Sequence, residues 1–324
     1  MEPSSAGKLN LGAVQLAASR LREAIGRVIV GQRELIDLMI AALFADGHVL
    51  IEGVPGVAKT LTARLMSRAI SAEFSRIQFT PDLMPADVIG TSVFNQQKSI
   101  FEFAVGPIFA NVVLIDEVNR APAKTQAALF EVMEERQVTV DGATYAMKPP
   151  FFALATQNPI EHEGTYRLPE AQLDRFLFKL IAGYPTLDEE TSLLDAAHKR
   201  QARIDPDALQ PVLAGADIPK LQAAVRSVHI EPSVLRYIAE IVHATRDHPA
   251  LYVGGSPRAS LALLRGAQAL AAMDGRDYAA PEDVRRVTEP VLRHRLLLTP
   301  DRELDGTTTE DVIRQVVASV EVPR

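Results

Sequence analysis

Three groups of residues have the types and spacing to handle a phosphorylated ligand. The first is Gly53-Val54-Pro55-Gly56-Val57-Ala58-Lys59-Thr60. An apolar run, Val49-Leu50-Ile51, leads into it and a helical pattern leads out. Strand, glycine loop and helix in that order is the context of a phosphate-binding loop. Backbone N–H groups between Gly53 and Leu61, all but that of Pro55, would cradle phosphate oxygens, and the helix N-terminus would add its partial positive charge. Lys59 would reach the β- and γ-phosphates, and the Thr60 hydroxyl would ligate Mg²⁺. Gly53 and Gly56 allow unusual backbone angles and close approach. Ala58 stands where the pattern asks for glycine, so its backbone must hold an ordinary helical conformation.

The second group is Asp116-Glu117, which ends the run Val112-Val113-Leu114-Ile115. Four consecutive apolar residues suit a strand buried on both faces. Ligands of open α/β sheets sit at the carboxyl ends of the strands, so both carboxylates would arrive at the edge that carries the loop. Asp116 is placed to hold Mg²⁺, and Glu117 to orient and deprotonate an attacking water. The third group ends the next buried run, Phe151–Ala155, at Thr156-Gln157-Asn158-Pro159. Asn158 either opens a turn or presents a carboxamide to the γ-phosphate or the water. Farther on, Arg258 follows Pro257 in the first turn of a helix, where the helix dipole disfavours a cation. It is either an exposed arginine or part of an anion site.

These residues need elements to position them. Leu11–Val28 and Gln32–Ala45 read as amphipathic helices, with Val14, Ala17, Leu21 and Ile25 near a 3.6-residue period. Val30, in the elbow between them, is either packing or a wall for an adenine ring. After the phosphate-loop helix comes a strand at Phe74–Phe79, then a long excursion, 80–110, with a hairpin around Asn95–Ser99. Residues 137–147 alternate around Asp141-Gly142, a strong hairpin signal. A short helix covers Pro169–Phe176 and a last strand Phe178–Ile181. From Leu187 onward the pattern is helical, clearest over Pro232–Arg246, Pro257–Met273 and Pro281–Leu296. The expected organisation is a flexible tail (1–10), a nucleotide-binding core (11–185) and an α-helical lid (186–324).

Composition narrows the classes. The chain has 324 residues, 47% hydrophobic and 23% charged, as soluble globular proteins do. It has no cysteine, which excludes disulfides, thiolate zinc sites and thiol catalysis. A net charge of −7 gives no basic footprint for nucleic acid or anionic lipid. No apolar run is long enough for a membrane span, and the N-terminus lacks a signal-peptide pattern. A cytoplasmic protein is expected.

The motifs GVPGVAKT, LIDEVNR, ATQNP, AQLDRF and GGSPRA, with RIQFTPDLMPADVIGT and TYRLPEAQLDRF between them, together resemble the MoxR family of AAA+ ATPases over nearly the whole chain. The resemblance implies an αβα sandwich around a five-stranded parallel sheet of order 5-1-4-3-2, with a helical lid. It implies Lys59 and Thr60 as Walker A, Asp116 and Glu117 as Walker B, Asn158 as sensor 1 and Arg258 as sensor 2. Arg175 matches an arginine finger that reaches a neighbouring subunit's site. The segments 80–110 and 137–147 match the helix-2 insert and the pre-sensor-1 insert. ATP, Mg²⁺, a homo-hexamer and chaperone-like work on a partner with a von Willebrand factor A domain are implied as well. Ala58 is common in these proteins, whereas Arg167 replaces a usual proline. The alternatives are a metal-chelatase-type ATPase subunit, a low-turnover ATP-dependent switch and a motor on nucleic acid, the last disfavoured by charge.

Overall fold

A computed structural model describes residues 10–53, 59–158, 166, 168–200 and 205–323. The expected tail falls almost wholly outside them.

Five strands form the central sheet: β1 (Val49–Gly53), β2 (Phe74–Gln78), β3 (Val112–Asp116), β4 (Phe152–Gln157) and β5 (Phe178–Ala182). All pairings are parallel and the spatial order is β2-β3-β4-β1-β5, as the family resemblance implies. β1, β3 and β4 are inner strands, and their apolar residues are buried on both faces, which is why they read as unbroken runs. Helices Lys59–Ala69 and Ala123–Glu135 pack beside the sheet. Leu129, Phe130, Val132 and Met133 join Phe79, Ile108, Val113, Ile115 and Phe176 in one buried cluster.

The excursion 80–110 carries secondary structure of its own. It holds a short helix, Pro85–Ile89, then a hairpin of Gly90–Asn95 with Ile100–Val105. The second hairpin pairs Gln137–Val140 with Ala143–Ala146. Its turn residues Asp141 (φ 50°) and Gly142 (φ 79°) are both left-handed, the twist that joins two strands tightly.

Contacts divide the chain into two compact units. The sheet unit comprises Leu21–Met39 and Asp46–Ala216, and the helical unit Asp217–Arg324 with Ile40–Ala45 and the residues up to Arg20. The division therefore lies beyond residue 185, where composition changes. Composition marks where strands stop; contacts mark where packing changes partners. In the helical unit, Pro257–Met273 buries the small residues Ala259, Ala262, Gly266, Ala267, Ala269, Ala271 and Ala272. Tyr237, Ile241, Val287, Val291 and Ile313 add larger buried side chains to the same unit. The sequence showed no strand here, but Leu251–Val253 pairs antiparallel with Leu297–Leu298. A pair so short has no period to read. The helix from Pro281 ends at Leu292 rather than Leu296, soon after Pro290 removes one donor from its ladder. Among the described residues no helix is long and apolar enough to cross a membrane.

His48 anchors the amino edge of the sheet unit. It is 3% exposed. The Ala153 N–H donates to Nδ1 (3.1 Å), which leaves Nε2–H to donate to the Met133 carbonyl (3.2 Å). Burial, with help from the nearby Arg136 cation, pushes its pKa down to about 3. Above pH 6.5 the ring is neutral in both folded and unfolded chains and costs nothing. As pH falls below 6.5 the unfolded chain takes up a proton that the folded one refuses, so stability drops until about pH 3. Between pH 7 and pH 5 this one group is expected to cost about 2 kcal/mol. Denaturant midpoints of wild type and His48→Gln at both pH values check it: the variant should lose less stability than wild type on acidification.

Candidate active site at the carboxyl edge of the sheet

Parallel register brings the ends of four strands level. Gln78 is opposite Asp116, Ile115 opposite Ala155, and Ile51 opposite Thr156. Lys59 begins the helix that follows β1, and its Nζ donates to the Gly53 carbonyl (2.7 Å). Burial lowers the Lys59 pKa, and Asp116, Glu117 and Glu52 oppose that shift. The lysine therefore lies within the field of both candidate carboxylates. Gly53 is needed for space rather than for a positive φ, which it does not have. A Cβ there would sit 2.5 Å from the carbonyl oxygen of Ala182 on β5. Thr60 and Leu61, in the first turn of the helix, are partly exposed. The loop residues Val54, Pro55, Gly56, Val57 and Ala58 lie outside the described residues, as does Arg167.

Asp116 accepts from the Thr156 hydroxyl at Oδ1 (2.6 Å) and from the Arg76 guanidinium at Oδ2 (2.7 Å). Glu117 follows in a left-handed conformation (φ 56°, ψ 52°), strained for a residue with a side chain. Its N–H donates to the Thr156 hydroxyl (2.9 Å) and its carbonyl accepts from the Arg120 N–H (2.9 Å). The turn that follows is braced by buried Gln126, whose Nε2 donates to the Val118 and Ala121 carbonyls. The Glu117 Oε2 accepts from Gln78 (3.1 Å) and from Arg120 (2.8 Å). Both bonds land on one oxygen, so the carboxylate is oriented through Oε2. Asn158 stands just past β4, partly buried. The sheet edge thus gathers Gly53, Lys59, Asp116, Glu117 and Asn158.

Other candidates lie elsewhere. Arg175 comes just before β5, at the opposite, amino edge. Its Nη1 donates to the Phe130 carbonyl and its Nε lies 3.0 Å from Glu134 Oε2. Both partners are late in the helix Ala123–Glu135, near the end where Arg136 donates to the Phe151 and Asp46 carbonyls. Val30 is partly exposed beside buried Ile29. Arg258 belongs to the helical unit, exposed in the first turn of Pro257–Met273. Ser256 caps that turn through the Arg258 N–H (3.1 Å). Gly254 is required beside it, because a Cβ would meet the Arg246 backbone at 2.6 Å.

Arg76, Gln78, Arg120 and Thr156 were not singled out from sequence. Arg76, Gln78 and Thr156 are single polar residues in or at the end of a strand, and only register reveals that their side chains meet a candidate carboxylate, whereas Arg120 reaches Glu117 locally, three residues on. Thr156 has the strongest position: 1% exposed, with one hydroxyl serving both Asp116 and Glu117. Thr156→Val keeps the shape and removes the hydroxyl. It is expected to lower kcat for ATP hydrolysis by about 10–10²-fold through misplacement, with a smaller effect on nucleotide affinity, while Thr156→Ser restores turnover. Equal activity of the valine and serine variants would contradict this.

A divalent cation fits the edge chemically. Mg²⁺ takes hard oxygen ligands and needs only one or two from protein when phosphates supply others. The Asp116 carboxylate and the Thr60 hydroxyl are of that kind. Among the described residues no group of three or more His, Asp or Glu forms a separate metal site.

Comparison with known proteins bears on these features. The family model described as ATPase family associated with various cellular activities (AAA) matches residues 48–178, and an AAA lid domain model matches 243–316. Over 309 residues the chain is 45% identical to Chaperone MoxR1 of Mycobacterium tuberculosis, covering 93% of this chain and 81% of that protein. It is 31% identical over 337 residues to Protein MoxR of Methylorubrum extorquens, covering 95% of each. The crystal structure of a candidate ATPase from Cytophaga hutchinsonii superposes with a TM-score of 0.89 at 38% identity, covering 97% of each chain.

Proposed function

Since this chain belongs to the MoxR family of AAA+ ATPases and hydrolyses ATP, we propose that it does so in a homo-hexameric ring whose sites are shared between neighbours, and that the ring remodels or activates partner proteins. The observation that carries the shared site is the position of Arg175. It is held near the amino edge of the sheet by Phe130 and Glu134, while Lys59, Asp116 and Glu117 sit at the carboxyl edge. A five-residue strand separates the two edges by roughly 16 Å, beyond the reach of an arginine side chain. An arginine that stabilises the γ-phosphate from this place serves another chain. Head-to-tail contacts of that kind form a ring where the rotation between subunits closes.

Within each site, Lys59 binds the β- and γ-phosphates and Val30 packs against the base. Glu117 takes the proton from the attacking water, which Asn158 helps to align. Asp116 and Thr60 would hold Mg²⁺, which neutralises phosphate charge when bound. Arg175 of the neighbour meets the charge that spreads over the γ-phosphoryl oxygens in the transition state, and Arg258 is the sensor-2 arginine that the family resemblance implies. Chaperone MoxR1 carries a chaperone name, which supports work on proteins here. The proposed partner carries a von Willebrand factor A domain, and the proposed compartment is the cytoplasm. Steady-state ATP turnover per subunit, measured against protein concentration alongside sedimentation, tests the shared site. Turnover should rise and saturate as rings form. Constant turnover across a range where sedimentation shows monomers would refute sharing.

A further inference from the structure

The two hairpins of the sheet unit are joined to each other and carry apolar side chains into solvent. Phe103, opposite Ser92 in the first hairpin, stacks on Tyr145 of the second with centroids 4.3 Å apart. The Ser92 hydroxyl donates to Asp141 Oδ2 at 2.5 Å. Beyond this junction the cross-strand pair Phe94 and Phe101 stands 5.2 Å apart, with Phe101 72% exposed. Val93, Ile100 and Val105 are exposed on the same hairpin, and Met84 just before it. So much apolar surface in one short segment marks an interaction site rather than ordinary scatter.

A cleft of about 700 Å³ opens between the hairpins, lined by Pro85, Ile89, Thr91, Phe101, Val140 and Asp141 among others. Among the described residues that line it, Asp141 is the single charged one. The nearby Lys98 is paired with Glu102 at 2.7 Å, so that cation is already matched. Each hairpin is a separate two-stranded sheet, and each strand of such a sheet keeps one edge free for pairing with an extended chain.

We propose that this cleft and the Phe94–Phe101 pair dock an extended polypeptide segment of a partner, one that places apolar side chains on the aromatics and a lysine or arginine against Asp141. Apolar walls call for apolar side chains, and the lone carboxylate for a cation. The free edges call for an extended backbone. The inference rests on the partner-remodelling reading for its purpose, but its readout is binding and needs no turnover.

The test is fluorescence anisotropy of two short labelled peptides with the full-length protein, one alternating leucine with lysine and one alternating leucine with glutamate. Wild type should bind the lysine peptide more tightly. Phe94→Ser with Phe101→Ser should weaken that binding by about tenfold or more. Asp141→Asn should remove the preference for lysine, and all variants should keep basal ATP turnover. Equal binding by wild type and both variants would overturn the proposal, as would failure of wild type to bind either peptide. A double variant that sediments as a different assembly would overturn it too, because the surface would then be a subunit contact. Peptide binding as expected with turnover independent of assembly would leave the docking site standing and remove the ring.

Discussion

Replacing Glu117 with glutamine is expected to leave a protein that binds ATP and turns it over about 10²–10⁴-fold more slowly, the usual worth of a positioned general base. The substitution keeps the side-chain length and one oxygen acceptor, so Gln78 and Arg120 still have a partner. The backbone of residue 117 is held independently by Thr156 and by the turn that Gln126 braces. What is lost is the capacity to take a proton. Single-turnover hydrolysis together with equilibrium binding of a fluorescent ATP analogue separates the two effects. A large fall in kcat with little change in affinity is expected. Equal loss in both would mean that Glu117 supports binding instead.

Arg175→Ala is expected to lower turnover by about 10³–10⁵-fold, the range for arginines that meet transition-state charge in phosphoryl transfer. The size of the effect matters because the local reading is so different. In its own chain Arg175 bonds the Phe130 carbonyl and Glu134 and is 28% exposed at the side chain. If that were its whole purpose, alanine would cost stability on the order of 1–3 kcal/mol for the lost charged hydrogen bond and leave folded enzyme active. A thermal melt and an ATPase assay on the same sample discriminate: near-native folding with collapsed turnover supports a role at a neighbour's site.

The sequence made the scaffold legible because buried strands, glycine loops and Asp-Gly turns each have a local signature. Val112–Ile115 and Phe151–Ala155 are unbroken apolar runs since β3 and β4 are covered on both faces. The sheet order needed the family resemblance, because strand runs alone do not say which neighbours which. Lys59 is visible in sequence by its place in the glycine loop, and Asp116 and Glu117 as carboxylates at a strand end. Their supports are not. Thr156 is an ordinary threonine in sequence, and only the register of β3 and β4 turns its hydroxyl into a bridge between the Asp116 carboxylate and the Glu117 backbone N–H. Gln78 and Arg76 became partners of the same pair through the register of β2 and β3. Gly53 reads in sequence as a glycine that allows unusual backbone angles and close approach, and the β5 strand at Ala182 makes the second the operative reason. The partition of the chain was the least legible feature. The N-terminal helix reads as amphipathic, but nothing in its period says that its first part, up to Arg20, packs with residues some two hundred positions away, as where Gln15 Nε2 donates to the Asp274 carbonyl (3.2 Å).

The central claim is that each ATP site takes Arg175 from a neighbouring chain, and mixing two inactive variants tests it most directly. Glu117→Gln subunits keep a functional Arg175, and Arg175→Ala subunits keep a functional Glu117. In a ring of randomly mixed subunits, about one site in four pairs an intact Glu117 with a neighbour's intact Arg175. ATP turnover of the equal mixture should therefore recover to about a quarter of the wild-type rate, once subunits have exchanged. A mixture as inactive as its two components, with exchange verified by labelled subunits, would contradict the shared site and return Arg175 to a role inside its own chain.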